Sequence, residues 1–142
     1  MPEKPLSCVL VADRHHGLTE GVRGLLETAF DTVVMVADEA SMLAGAERLR
    51  PDMAVVDLSL ARDSGLGWLR AVRACCPDLK VIVLSVHDED TVRRAAMEAG
   101  ADAFVLKRAI ATDLLATVDA LRRGRSQGAF TDEGSPTVIA KG

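Results

Sequence analysis

The chain has no excess of basic residues: 17 Lys and Arg stand against 21 Asp and Glu, giving a formal net charge of -4. Neutralising phosphates takes clustered Lys and Arg, so a surface built mainly to hold nucleic acid is not expected, and any DNA binding would have to come from elsewhere. Paired cysteines are lacking too. Only Cys8, Cys75 and Cys76 occur, two of them adjacent, and none makes the spacing of a zinc site or redox motif, which implies a reduced, cytoplasmic compartment. No apolar run is long enough to cross a bilayer, and Met1 to Pro5 lacks the apolar stretch of a signal peptide, so neither export nor membrane insertion is expected. A repeat of solenoid period is absent as well. What is present, 142 residues that are 49% hydrophobic and 27% charged, fits one domain with a real core and leaves no room for a second.

Short apolar runs alternate with stretches of helical periodicity, the pattern of βα units around a parallel sheet. The runs are Ser7 to Ala12, Thr32 to Ala37, Met53 to Leu58, Val81 to Ser85 and Ala103 to Leu106. The fourth is apolar until its last residue, as expected of a central strand covered on both faces. Between the runs, Leu18, Val22, Leu25 and Leu26 share one helix face, and so do Met42, Leu43, Ala46 and Leu49, with Ser41 as the expected cap and Pro51 as the stop. Leu66, Leu69, Ala71 and Val72 begin a third helix, which ends before Pro77 with Cys75 and Cys76 packing at its end. Gly100 terminates a fourth. A fifth is expected from about Ala111 to Arg123, with Leu114, Leu115, Val118 and Leu121 facing inward. Beyond Arg123 the composition turns to Gly, Ser, Gln, Thr and Pro, so residues 124–142 read as a flexible tail or linker after a domain spanning 1–123.

The polar residues that interrupt this pattern fall at one kind of place. Asp13, Asp57, Ser85 and Lys107 all stand at or just beyond the C-terminal ends of expected strands, on the rim where open α/β sheets bind ligands. A carboxylate there can act as a nucleophile toward phosphorus when nearby cations offset the incoming charge. Lys107 is the natural cation, Ser85 offers a hydroxyl to a phosphoryl oxygen, and Asp13 can help hold a hard divalent cation. Taken singly, each has a plainer reading: Asp13 as a helix cap, Asp57 as a loop-solvating group, Ser85 as a turn residue, Lys107 as a surface lysine. Their common rim favours a shared site. His15 and His16 are adjacent and lack a second ligand pair at metal spacing, so zinc is not expected.

The segments VLVADRHHGLTEGVRGLLE, PDMAVVDLSLARDSGLGWL, VIVLSVHDED and GADAFVLKRA, in that order, resemble the response regulator receiver family of two-component systems, over about Ser7 to Arg123. The resemblance implies a flavodoxin-like (βα)5 sheet of strand order 2-1-3-4-5 and phosphoryl acceptance at Asp57 from a sensor histidine kinase. It also implies a hydroxyl switch at Ser85, an aromatic switch at Phe104, the lysine at Lys107, and Mg2+ held around Asp13, Asp57 and Ser59. TEGVRGLLE is similar to the corresponding stretch of NarL/LuxR-type transcription regulators, which carry a DNA-binding helix-turn-helix after the receiver. The chain is expected to be a stand-alone receiver or a piece of a longer regulator.

Two features depart from the family pattern. Arg14 stands where a second acidic residue normally ligates the metal directly. Losing that oxygen ligand and gaining a positive charge should weaken magnesium binding. Alternatively Arg14 pairs with Asp57 or its phosphoryl group, since a guanidinium matches both anions, or it points into solvent. Leu60 and Ala61 occupy the place of a frequent Met-Pro pair, which relaxes the loop.

Two classes of function follow: a phosphorylatable switch, or a degenerate receiver serving as a phosphorylation-independent interaction module. A turnover enzyme such as a small phosphatase is disfavoured, because Ser59 stands where a general acid two residues after Asp57 would be needed. A homodimer through helices one, four or five is compatible with the sequence, although Arg93, Arg94, Arg122 and Arg123 read equally well as a solvated basic face.

Overall fold

The computed structural model describes residues 7–14, 16–61 and 66–123. His15 and the tail assigned to 124–142 lie outside the described residues. The chain runs β1 (Cys8–Ala12), α1 (His16–Leu26), β2 (Thr32–Val36), α2 (Glu39–Leu49), β3 (Met53–Asp57), α3 (Gly67–Cys75), β4 (Lys80–Ser85), α4 (Asp90–Ala99), β5 (Ala103–Leu106) and α5 (Ile110–Arg122). Short 3-10 turns follow β3 at Leu58–Ala61 and β5 at Lys107–Ala109. All strand pairings are parallel, and the sheet order is β2-β1-β3-β4-β5, as the resemblance implies. As expected, the fourth strand is interior: β4 lies between β3 and β5 and is buried along nearly its whole length. Among the described residues no helix is long and apolar enough to cross a membrane.

Alternation along the strands divides the core in two. Leu10, Ala12, Ala54, Val56, Val81, Val83, Phe104 and Leu106 face one layer, which Met42, Ala46, Trp68, Leu69, Val72 and Ala96 fill from α2, α3 and α4. Val9, Val11, Met53, Val55, Ile82, Leu84, Ala103 and Val105 face the other, filled by Val22, Leu26, Leu114, Val118 and Leu121 from α1 and α5. Because β3, β4 and β5 feed both layers, nearly every residue in them is apolar, which is why those runs read so clearly in the sequence.

Several local expectations change. Asp38, not Ser41, caps α2: it is the residue in extended conformation (φ -145°, ψ 168°), and its carboxylate accepts the Ser41 N–H at 2.7 Å. That hydrogen bond holds the exposed Asp38 carboxyl below its ordinary pKa. The helix stops at Arg50, which takes φ 49° ahead of Pro51, a residue that disfavours the right-handed helical conformation in its predecessor. Of the two cysteines expected to pack at the end of α3, Cys76 meets the core and Cys75 is exposed. In α5, Leu115 is only half-buried, while Thr117 is fully buried because its hydroxyl donates to the Asp113 carbonyl at 2.7 Å.

At the edge of the sheet opposite the strand C-termini, Arg73 ties three segments together. Its guanidinium donates to the carbonyls of Pro77 (3.1 Å), Leu79 (2.6 Å) and Gly100 (2.7 Å) and to the Asp102 carboxylate (2.8 Å). Asp102 in turn accepts the Val81 N–H at 2.8 Å. Gly100 has φ 125°, where a side chain would be strained, and an added Cβ would lie 3.4 Å from Arg73 Nε. The clasp thus fixes the exit of α3, the start of β4 and the α4–β5 turn. Arg73→Ala is expected to lower stability by about 2–3 kcal/mol, read from the urea midpoint, because several backbone acceptors and a carboxylate lose a charged donor together. Arg73→Lys, which cannot fork, should recover less than half of this; a native-like midpoint for Arg73→Ala would show that the clasp contributes little.

Candidate functional site

The order in which strands are added reverses between β1 and β3, and these two parallel strands deliver Asp13 and Asp57 side by side at their C-terminal ends. Both carboxylates are buried, at 3% and 2% exposure, as is Ser85 at the end of β4. Lys107 arrives from the end of β5, two strands from β3. Neighbouring strands lie about 4.8 Å apart, so roughly 10 Å must be spanned, and a lysine is long enough to meet an aspartate across it. Its Nζ lies 2.5 Å from Asp57 Oδ2 and 3.8 Å from Asp13 Oδ2. The ion pair is largely withdrawn from water, with 10% of the Lys107 side chain exposed. On its other oxygen Asp57 accepts the backbone N–H of Ser59 at 3.0 Å, an arrangement set by the 3-10 turn that begins at Leu58.

Burial by itself would raise the Asp57 pKa. The Lys107 hydrogen bond, the Ser59 N–H, a side-chain hydrogen bond with Asp13 and the Lys107 charge outweigh it and hold the carboxyl below its ordinary value. Asp57 is therefore an ionised, buried carboxylate at neutral pH. The other expected residues are distributed around it. Ser85 stands one residue past the Asp57–Leu84 register, with its hydroxyl oxygen accepting the His87 N–H at 2.9 Å. Phe104 is fully buried within β5, and the Arg93 guanidinium of α4 sits 5.6 Å from its ring centroid. Arg93 and Arg122 are thus more than a solvated face, since Arg122 lies 4.3 Å from the Phe30 ring centroid.

Arg14 reaches toward the β3 turn, its Nη1 donating to the Ser59 carbonyl at 3.4 Å. This contact bears on the implied magnesium ion. Two carboxylates are hard oxygen donors, but a guanidinium covers the neighbouring carbonyl, and among the described residues no group of three or more His, Cys, Asp and Glu is placed to hold a metal. The donor set does not fit the ion in the family's manner. The Ser59 carbonyl and the His87 amide were invisible in the sequence, because backbone groups carry no residue-type signal. Only the position of the turns reveals them.

The sequence matches the family model for the response regulator receiver domain over residues 9–119. It is 34% identical to the nitrate/nitrite response regulator protein NarP of Escherichia coli over 126 residues, covering 87% of this chain and 59% of NarP. The fold superposes on the signal receiver domain of the putative response regulator NarL from Mycobacterium tuberculosis with TM-score 0.75 and 30% identity, covering 87% of this chain and 100% of that domain. A response regulator from Burkholderia pseudomallei, solved with a phosphorylated aspartic acid, a calcium ion and citrate, superposes with TM-score 0.69 and 26% identity, over 78% of this chain and 65% of that one. The chain spans 50% to 59% of the length of curated relatives such as NarP and the transcriptional regulatory protein DegU of Brevibacillus brevis.

The balance around Asp57 fixes a sign for its pH dependence. A folded pKa below the unfolded value contributes stability that is present above the unfolded pKa, near 3.8, and is lost as pH falls through the folded one. In Lys107→Met the opposing cation is gone and burial prevails, so the Asp57 carboxyl titration followed by 13C NMR should move up, past the ordinary carboxylate value. The contribution of Asp57 to stability should then decline, not grow, as pH rises through that window. A native-like titration in Lys107→Met would show that another group holds Asp57 ionised.

Proposed function

We propose that this chain, which belongs to the response regulator receiver domain family, accepts a phosphoryl group on Asp57 and uses it as a switch in two-component signalling. Receiver domains of this family are signalling modules phosphorylated by sensor histidine kinases, and transcription regulation is the business of the relatives named above. The observation that carries the assignment to Asp57 is the buried Asp57–Lys107 pair, an ionised carboxylate and a cation placed where phosphoryl charge would arrive.

An Asp57 oxygen forms the new P–O bond as the P–N bond to a donor imidazole breaks, and the imidazole nitrogen keeps the electron pair. The aspartate then carries about two negative charges in place of one. Lys107 exchanges its carboxylate contact for a phosphoryl oxygen, and the Ser59 N–H beside Asp57 supplies a further donor. Ser85 follows by leaving the His87 amide to donate its hydroxyl to the phosphoryl group. That exchange tugs on the segment leading into α4, and Phe104, with Arg93 of α4 over its ring, links the same helix to β5. The face formed by α4, β5 and α5 is the surface on which a partner would read the change.

Incubation with acetyl phosphate or phosphoramidate should give a single phosphoryl adduct by intact-protein mass, absent in Asp57→Asn and about a hundredfold slower to form in Lys107→Ala. An adduct that persists in Asp57→Asn would move the acceptor elsewhere. A native chain that takes no adduct even from a kinase, and signals equally well as Asp57→Asn, would instead be a phosphorylation-independent interaction module.

A further inference from the structure

We propose that Arg14 takes the place of the divalent cation in this pocket, so that Asp57 accepts a phosphoryl group without a bound magnesium ion. The inference rests on the reading of Asp57 as the acceptor and deepens it. Arg14 follows Asp13 directly at the end of β1, and β1 is the hydrogen-bonded neighbour of β3, so its side chain leaves the backbone on the rim beside Asp57. There it is anchored. Its Nη1 donates to the Ser59 carbonyl, while the N–H of the same residue donates to Asp57 Oδ1. The guanidinium and the acceptor carboxylate therefore grip one residue of the β3 turn from two sides.

Charge explains why such an exchange is self-consistent. With a second acidic residue at position 14, the described side chains would place three carboxylates against Lys107, a surplus of two negative charges. With arginine there, the formal charges of Asp13, Asp57, Lys107 and Arg14 sum to zero. The difference is two charges, the charge of one magnesium ion. An ion placed beside Asp57 would be set against a guanidinium that already holds the Ser59 carbonyl oxygen. Arginine also brings a forked donor that matches the geometry of a phosphoryl group, and its charge does not depend on pH in the working range. When acetyl phosphate is the donor, an Asp57 oxygen bonds to phosphorus as acetate leaves with the electron pair of the broken P–O bond. Arg14 and Lys107 then offset the charge gained.

The test uses the full chain and two readouts. Labelling by acetyl phosphate, followed by intact mass, should proceed in EDTA at a rate within about twofold of that in magnesium. Arg14→Ala should lose at least about tenfold in EDTA, and Arg14→Asp should label only when magnesium is supplied. Independently of phosphorylation, titrating magnesium alone should leave the Ser59 and Asp57 amide resonances of the native chain in place and should shift them saturably in Arg14→Asp. Native labelling that requires magnesium, or saturable native shifts, would overturn the role given to Arg14 and leave Asp57 as the acceptor. No labelling of the native chain under either condition would overturn the acceptor itself, and this inference with it.

Discussion

A parallel sheet gathers the carboxyl ends of all its strands on one rim, and the function of this chain depends on that geometric constraint. Asp13, Asp57, Ser85 and Lys107 are separated by up to most of the chain, yet each needs only to be the residue at which a strand stops. The Lys107–Asp57 pair then fixes the spacing of the rim, because it joins β5 to β3 across the end of β4. A buried pair of this kind adds little net stability over an apolar substitute, since desolvation offsets most of the attraction. Its effect is to keep the Asp57 carboxyl ionised against the burial that favours its neutral form.

What could be read from the sequence follows from the same constraint. Strands that feed two core layers are apolar throughout, so a polar residue ending such a run stands out, and the four rim residues were legible for that reason. The strand limits were legible to within a residue. Other features have no comparable signal. Trp68 is fully buried on α3, while of the residues read from the sequence as its apolar face, Leu66, Leu69, Ala71 and Val72, only Leu69 and Val72 are buried and Ala71 is exposed. Asp38 and Ser41 are both good caps, and only the extended backbone at Asp38 decides between them. The Arg73 clasp rests on three carbonyls, and no pattern of side chains announces a carbonyl.

Arg14 shows how an irregular residue can be read by its consequences. In the sequence three fates were open to it: a weakened metal site, a pairing with anionic groups, or solvent. In the structure the partly buried guanidinium donates to the Ser59 carbonyl of the turn that presents Asp57. A positive charge tethered to the scaffold differs from a dissolved ion in one physical respect. It is present at every metal concentration, and the entropy of its placement has been met in folding.

The clasp at Gly100 has a mechanical meaning. It holds the C-terminal end of α4, through Arg73 and the Gly100 carbonyl, at the far side of the sheet from Asp57. The other end of α4 begins just after His87, whose amide is bound to Ser85. A ten-residue helix is about 15 Å long, so a tilt of about 10° about the fixed end carries the free end through roughly 2.5 Å. On the proposed switch, a lever with its fulcrum at Arg73 and its handle at Ser85 would turn the relocation of one hydroxyl into a displacement that a binding partner can feel.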